Sequence, residues 1–386
     1  MWEPDPSAYG VRRQRVGGRY RVFVPAPIAG RDFSLDDAAV AAVTAATRAL
    51  AHLDASRPGV ASLSAIAGSL LRSESAASSR IEGLAISQRR LARAAYRGAA
   101  SRDNTAAEIL GNVDAMERAI ELGATGSRFE AADLCEIYRS LLRHTADRKI
   151  AGAVRKVQNW IGGNDFNPIG AAYVPPPPEA VPALLEDLCR FVSREDLAPV
   201  AQAAIAHAQF ENIHPFVDGN GRVGRALVHS ILRRREETLN YVPPISLVLE
   251  AAPKSYVAGF GAYSRGDVSG WCATFAWAAE RAAREAERLA TAIESLQEEW
   301  LARLGRPRSD AAARQLVSAL PERPVIDVAA GRQLTGKSHV AVQAALKQLE
   351  EAGILAPLSE KRWGRAWECR ELFDLVEDFE RGVRVK

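Results

Sequence analysis

Helical periodicity over residues 36–302 is the feature that most limits the fold of this chain. Apolar residues recur there at helical spacing, and alanine and arginine, both good helix formers, dominate the periodic segments. These segments are residues 36–55, 61–82, 105–122, 129–144, 179–193, 197–212, 223–236 and 268–302. We therefore expect a mainly α-helical protein.

Three regions interrupt the helical pattern. Residues 1–35 are rich in proline and glycine, which predicts an irregular arm with short strands. Residues 151–178 hold two β-prone runs, 157–161 and 171–174, separated by Gly, Asn and Pro, which predicts a β-hairpin flap. Residues 305–310 read GRPRSD and follow the last long helical segment, so they predict a linker to a separate C-terminal unit.

The C-terminal unit has the element order of a winged helix-turn-helix. We expect helices at 310–320, 325–333 and 337–352, followed by strands at 354–358 and 365–369. Residues placed to face DNA from the third helix or the wing are Lys337, His339, Gln343, Lys347, Lys361, Arg362 and Arg365. Acidic and basic side chains balance across the unit, so a protein-docking or dimer role stays equally open.

Composition excludes several classes of protein. The net charge of +3 is too small to indicate a nucleic-acid partner by itself, and four scattered cysteines suggest neither a zinc site nor a disulfide framework. Charged residues break every apolar run, and the N-terminus lacks the layout of a signal peptide. We therefore expect a cytoplasmic protein with no membrane partner.

The densest chemical signal is the segment 211–229, which reads ENIHPFVDGNGRVGRALVH. Gly219 and Gly221 permit backbone conformations and a close ligand approach that a Cβ atom would prevent. A helix that starts near Arg222 would point its free N–H groups at the loop. The segment therefore predicts a cradle for an anion.

Side chains around this cradle suit a polyphosphate ligand. Arg222 and Arg225 are three residues apart on one helix and can bind successive phosphates. Asp218 offers a hard oxygen ligand for Mg²⁺, and the imidazole of His214 can accept a proton from a hydroxyl near neutral pH. We expect Phe216 to anchor the loop in the core.

A purely structural interpretation is also available for this segment. His214 and Asp218 would then form a capping turn, and the arginines would lie on a solvated helix face. A metal site formed by His207, His214 and His229 is disfavoured because spacings of 7 and 15 residues fit no common ligand pattern.

The loop resembles the HPF-x-D/E-GNGR-x-x-R signature of the Fic family at each of its fixed positions. The matching residues are His214, Pro215, Phe216, Asp218, Gly219, Asn220, Gly221, Arg222 and Arg225. The resemblance implies transfer of AMP from ATP to a Ser, Thr or Tyr hydroxyl of a protein, with His214 as general base and Asp218 as Mg²⁺ ligand. It implies a nucleotide site formed by Gly219, Asn220, Gly221, Arg222, Val223, Gly224, Arg225 and Tyr256.

The resemblance extends in layout over residues 60–300. It implies a Fic-type helical core at 105–304 with a β-hairpin flap, preceded by an N-terminal arm and helices at 1–104 and followed by the winged-helix module at 305–386. The flap at 151–178 is similar to the family hairpin that holds a target segment as an added strand. Death-on-curing kinases differ by having Ala and Lys where this chain has Gly219 and Gly221, which favours AMP transfer over phosphorylation.

A second motif lies upstream, where residues 78–83 read SSRIEG. Ser78 and Glu82 are one helical turn apart, and Gly83 occupies a position where a helix end favours a left-handed residue. The segment resembles the S/T-x-x-x-E-G/N inhibitory motif of Fic proteins. The resemblance implies that Glu82 pairs with Arg225 and blocks seating of the γ-phosphate.

The sequence thus predicts a self-inhibited protein AMP-transferase that uses ATP as co-substrate and Mg²⁺ as cofactor, with reverse removal of AMP as a further activity. The alternative is a DNA-binding regulator whose core senses nucleotide without transferring it. A homodimer is compatible with either function. Because all loop residues lie upstream, we expect deletion of 305–386 to leave transfer intact.

Overall fold

A computed structural model describes residues 1–3, 17–55, 61–98, 103–358 and 365–385. The helices before the linker are α1 (Asp37–Ala55), α2 (Ala61–Ile81), α3 (Gln88–Arg97), α4 (Asn104–Ala124), α5 (Ala131–Leu141), α6 (Val181–Val192), α7 (Pro199–Ile213), α8 (Asn220–Arg234), α9 (Ile245–Ala251), α10 (Pro253–Ser264) and α11 (Val268–Arg303). The mainly α-helical prediction is confirmed.

The long helix α11 organises the core. It starts where the Asp267 carboxylate accepts a hydrogen bond from the Gly270 N–H at 2.8 Å, an N-cap that supplies one of the helix's missing acceptors. Its apolar stripe packs against α1, α7, α9 and α10. Trp271 is fully buried and donates its indole N–H to the Ala204 carbonyl of α7 at 2.7 Å.

Helices α7 and α8 carry the predicted loop and are buried over most of their length. They pack against each other, and α8 also packs against α4 and α5. Glycine allows the close contact of α4 with its neighbours, since a Cβ atom at Gly111 would lie 2.1 Å from the Leu141 carbonyl oxygen. The loop between α7 and α8 is therefore held by packed helices on several sides.

Helix α2 has an unusually polar buried surface. Glu74 accepts hydrogen bonds from the Ser246 N–H at 2.7 Å and lies 2.8 Å from Nε2 of His229. The Asn112 side chain donates to the Ser75 carbonyl at 2.8 Å. Buried polar groups are tolerated where such partners exist, and these bonds fix α2 against α4, α8 and α9.

The C-terminal module has the order helix, strand, two helices, two strands, helix. Its elements are α12 (Ala312–Ala319), β1 (Val325–Asp327), α13 (Val328–Thr335), α14 (His339–Glu351), β2 (Ala356–Pro357), β3 (Ala366–Glu368) and α15 (Arg370–Val385). The three strands form an antiparallel sheet in the order β1-β3-β2. Residues 325–327, predicted as helix, form this first strand because they pair with β3.

Several predicted module residues can be placed. His339, Gln343 and Lys347 are exposed on α14, whereas Lys337 precedes the helix and is half-buried. Arg365 is bound by Glu350, with Nη2 and Oε1 2.6 Å apart. Lys361 and Arg362 lie outside the described residues.

Some elements differ from the prediction. The described part of 1–35 contains no extended strand beyond a bridge between Trp2 and Gly18. The predicted flap is present, and an antiparallel bridge between Ile161 and Tyr173 closes it. Helices α3, α9 and α10 were not predicted, because α3 is mostly polar and Pro243, Pro244 and Pro253 interrupt the periodicity of the other two.

Within the described ranges, no helix is both long enough and apolar enough to cross a membrane.

Glycine packing in α4 gives a stability prediction. We expect Gly111→Ala to lower the free energy of unfolding by about 1–3 kcal/mol or more, because its methyl group would overlap backbone. Gly382→Ala in α15 is the matched control, since nothing lies within 4 Å of its Cβ position and alanine there should stabilise by about 0.5–1 kcal/mol. Urea unfolding of both variants checks this, and equal effects would contradict it.

Candidate active site

His214 ends α7 in the left-handed conformation, with φ of 49°. This conformation is uncommon for a residue other than glycine and needs support from its surroundings. Its N–H donates to the Phe210 carbonyl at 2.9 Å, and its carbonyl accepts from Nε of Arg155 at 2.8 Å. Arg155 also donates to the Pro176 carbonyl, so one buried guanidinium joins both ends of the flap to His214.

The loop after His214 is anchored from below, as predicted for Phe216. Phe216 is fully buried and stacks on Tyr138 with ring centroids 4.1 Å apart. Asn220 accepts from the Phe216 N–H at 2.8 Å and donates to its carbonyl at 2.9 Å. The Asn220 side chain therefore shapes the loop rather than facing the predicted cradle.

Helix α8 begins at Asn220, two residues earlier than predicted, after Gly219 in the left-handed conformation (φ 74°). A Cβ atom at Gly219 would lie 2.7 Å from the Leu141 side chain. Val223 is buried in the core, and Gly224 faces Glu211 and His207 of α7. Val223 and Gly224 therefore contribute to helix packing, and their contact with nucleotide stays a prediction.

Arg222 is buried but poorly paired. Its guanidinium lies 3.4 Å from the exposed Asp218 carboxylate and 3.8 Å from Glu108. Within the part of the chain that the structure describes, Nε and Nη1 of Arg222 have no hydrogen-bond partner. Unpaired buried donors on a cation are costly, and their placement in the first turn of α8 suits an anionic ligand.

Arg225 is paired on α2. Its Nε donates to the Ser78 hydroxyl at 2.9 Å, and its Nη2 donates to the Ser78 carbonyl and to Oε1 of Glu82, both at 2.7 Å. Gly221 gives the Glu82 carboxylate room, because a Cβ atom there would lie 2.1 Å from Oε1. Glu82 thus lies at the positive N-terminal end of α8, where a helix attracts anions.

Gly83 ends this segment in the left-handed conformation, with φ of 84°. The N–H groups of Gly83 and Leu84 donate to the carbonyls of Arg80 and Ser79 at 2.9 and 3.0 Å. Nothing lies within 4 Å of the Gly83 Cβ position, so its backbone conformation alone favours glycine there.

Tyr256 lies behind Arg225 and does not form an open wall for a base. Its hydroxyl is 2.7 Å from Nε2 of His207 and 3.5 Å from Nη1 of Arg225. Its ring packs among Phe260 and Trp271, and burial raises the pKa of its hydroxyl. The adenine-lining role predicted for Tyr256 is not supported by this position.

Burial sets the protonation of the site. It lowers the pKa of His214 to about 4, with the nearby charge of Arg155 adding to the effect, and it lowers the pKa of His207 to about 3. Both imidazoles are therefore neutral at pH 7. Burial also raises the pKa of Glu211 to about 8, against the opposing charge of Arg225.

Glu211 is a site residue that the sequence reasoning missed. Its Oε2 lies 3.9 Å from Nδ1 of His214. One sequence feature could have identified it. Apart from His207, Glu211 is the one ionisable side chain in α7.

The Asp218 carboxylate could serve as a metal ligand at the loop. No cluster of three or more His, Cys, Asp or Glu side chains able to hold a metal occurs among the described residues. One exposed carboxylate fits Mg²⁺, which takes most of its ligands from water and substrate phosphates.

The chain was compared with known proteins. The Fic/DOC family profile matches residues 128–232, and the Fic/DOC family N-terminal profile matches residues 40–121. The protein adenylyltransferase Fic of Drosophila melanogaster is 33% identical over 127 residues, which cover 32% of this chain and 23% of that protein. The relative from Drosophila ananassae is 32% identical over a stretch covering 22% of its length. The match thus spans less than a quarter of these relatives.

Two solved structures share the fold. A Fic family protein from Desulfovibrio desulfuricans aligns over 87% of this chain and 97% of its own, with a TM-score of 0.53 and 20% identity. C. elegans Fic-1 aligns over 66% of this chain and 73% of its own, with a TM-score of 0.52 and 19% identity.

The buried imidazoles give a testable titration. In histidine-selective NMR, we expect the His214 ring to stay neutral down to about pH 5 and to take up a proton near pH 4. The urea-unfolded chain is the reference, since the pKa of a free histidine is about 6.5. The His214→Ala variant assigns the signal, and a folded-state midpoint near 6.5 would contradict the burial argument.

Proposed function

Because this chain belongs to the Fic/DOC family, we propose that it is a protein adenylyltransferase. It would transfer AMP from ATP to a Ser, Thr or Tyr hydroxyl of a target protein and release pyrophosphate. The observation that carries this proposal is that two chemical groups lie at the two ends of one loop. A neutral imidazole precedes the loop, and a buried guanidinium with unpaired donors follows it.

The reaction needs a base and His214 supplies one. Its low pKa keeps the ring neutral at pH 7, with one ring nitrogen unprotonated. That nitrogen can accept the proton of the target hydroxyl. The hydroxyl oxygen attacks the α-phosphorus, and the bond from that phosphorus to the β-bridging oxygen breaks. Pyrophosphate leaves with the bonding electrons.

The first turn of α8 supplies the phosphate site. Its free N–H groups and Arg222 would bind the phosphates, and Arg225 would join them once released from Glu82. Asp218, exposed beside Arg222, would hold Mg²⁺, which supplies charge neutralisation for the phosphates when bound.

The flap at 151–178 would hold the target segment. Val157 and Ile161 are exposed, and Ile161 already forms a bridge with Tyr173, so an added strand would extend the pairing that this bridge begins. Arg155 ties this flap to the His214 carbonyl, so the docked segment and the base share one support.

The Glu82–Arg225 pair supports self-inhibition. Nε and Nη2 of Arg225 donate hydrogen bonds to Ser78 and Glu82. The Glu82 carboxylate lies over Gly221 at the N-terminal end of α8, where an anion would bind. A γ-phosphate would compete for the same donors. Reverse removal of AMP, with Glu82 positioning a water, is a further proposed activity that an assay with AMP-modified protein tests.

A DNA-binding regulator is the second candidate, favoured by the order of elements in the C-terminal module and the exposed His339, Gln343 and Lys347 on α14. Such a regulator would not need to transfer AMP. Incubation with α-labelled and γ-labelled ATP separates the candidates, because only AMP transfer makes the α label covalent and leaves the γ label free.

We expect His214→Ala, in a Glu82→Gly background, to reduce self-labelling by about 10²–10⁴-fold while ATP binding persists, because the base acts on the hydroxyl and not on the nucleotide. Labelling with α-labelled ATP and equilibrium binding measure the two effects. The control is His339→Ala, which removes an exposed imidazole from α14 and should label normally. Undiminished labelling by His214→Ala would refute the assignment.

Glu82→Gly should raise self-labelling at least about tenfold, a barrier change of about 1.4 kcal/mol, because Arg225 becomes free to bind phosphate. Adding Arg225→Ala should return labelling to near zero. Glu351→Gly, at the end of α14, is the control for a glutamate lost from a helix terminus and should have no effect. Labelling by Glu82→Gly at the wild-type level in a folded protein would exclude the inhibitory role.

A further inference from the structure

The last turn of α2 is held on two opposite sides. Ser78 and Glu82, one turn apart, bind Arg225. Arg80 lies about 200° around the helix from Ser78 and points the other way. Its Nε is 2.9 Å from Oε1 of Glu250 in α9, and its Nη1 is 3.1 Å from Oε2 of Glu380 in α15.

The contact with α15 is buried and is shared with the start of α3. Glu380 is 4% exposed and accepts from the Gln88 side chain at 2.6 Å. Glu377, one turn earlier in α15, accepts from the Gln88 N–H at 3.1 Å. Helix α15 therefore binds both sides of the turn at Gly83 that follows Glu82.

Two further contacts tie the module to this region. Glu368 of β3 is fully buried and accepts from Arg89 and Arg93 of α3 as well as from Arg370. Arg72 of α2 donates to the Pro321 and Glu322 carbonyls, each at 2.8 Å. Removing one partner of a buried ion pair strands the other charge, and Glu368 would lose Arg89 and Arg93 if the module left α3, so these contacts favour the docked module.

We propose that the C-terminal module controls the proposed inhibition: docked, it holds Glu82 on Arg225 through the Arg80–Glu380 pair, and displacement of α15 releases Glu82. This inference rests on the proposed function only for its activity readout. The expectation that deletion of residues 305–386 leaves transfer intact stays a prediction, to which this inference adds that transfer would increase.

The test uses two glutamates of α15 in the full-length chain. Glu380→Gln keeps the size and the hydrogen bond to Gln88 but removes the charge that holds Arg80. Glu371→Gln is the matched control, because Glu371 binds Trp300 and Arg303 of α11 and does not contact α2. Arg80→Lys is a second variant at the same contact, since an ammonium cannot bridge two carboxylates as a guanidinium does.

We expect Glu380→Gln and Arg80→Lys to raise self-labelling at least about threefold and to speed amide hydrogen exchange at residues 78–84, where local opening becomes easier. Glu371→Gln should change neither. Thermal unfolding of all three variants verifies that each is folded.

Three outcomes overturn the inference. The first is unchanged amide exchange at residues 78–84 in both Glu380→Gln and Arg80→Lys. The second is faster exchange without increased self-labelling, provided that the Glu82→Gly variant labels strongly. The third is a change in exchange and labelling by Glu371→Gln as large as that by Glu380→Gln. Absence of labelling by Glu82→Gly would instead refute the proposed function, and exchange at 78–84 would still decide whether the module holds α2.

Discussion

The burial of the Arg225 guanidinium is the constraint on which the arrangement of this protein depends. A cation without water needs a counter-charge and acceptors for its donors. In the described structure the end of α2 provides the Ser78 hydroxyl and carbonyl, and the Glu82 carboxylate just after this helix provides the counter-charge. Helix α2 must therefore lie against α8, and its polar buried face, including Glu74 opposite His229, follows from that position.

Glycine residues in α8 make the close approach of this helix to Glu82 and to α7 possible. Gly221 leaves room for the Glu82 carboxylate, and Gly224 lets α8 approach Glu211 and His207 of α7. Partial burial of His214, together with the nearby charge of Arg155, lowers the pKa of its ring. Packing thus sets both the contact that occupies Arg225 and the neutral state of the imidazole.

The sequence predicted the helical class, the loop and the Glu82 segment, because each depends on local spacing or on special backbone conformations such as those of Gly83 and Gly219. It did not predict the places of Tyr256, Glu211 or Val223, since burial is decided by distant segments. It also missed the ties between Arg80 and Glu380, which join residues three hundred positions apart that no local pattern connects.

Carrying Glu82 on the same chain as Arg225 has a consequence for dosage. A tethered group meets its site at an effective concentration set by the fold, unaffected by dilution. The fraction of molecules with Arg225 free is then the same in a scarce and in an abundant population. Total activity would scale linearly with the number of molecules, and overproduction alone would not raise the fraction of molecules with Arg225 free.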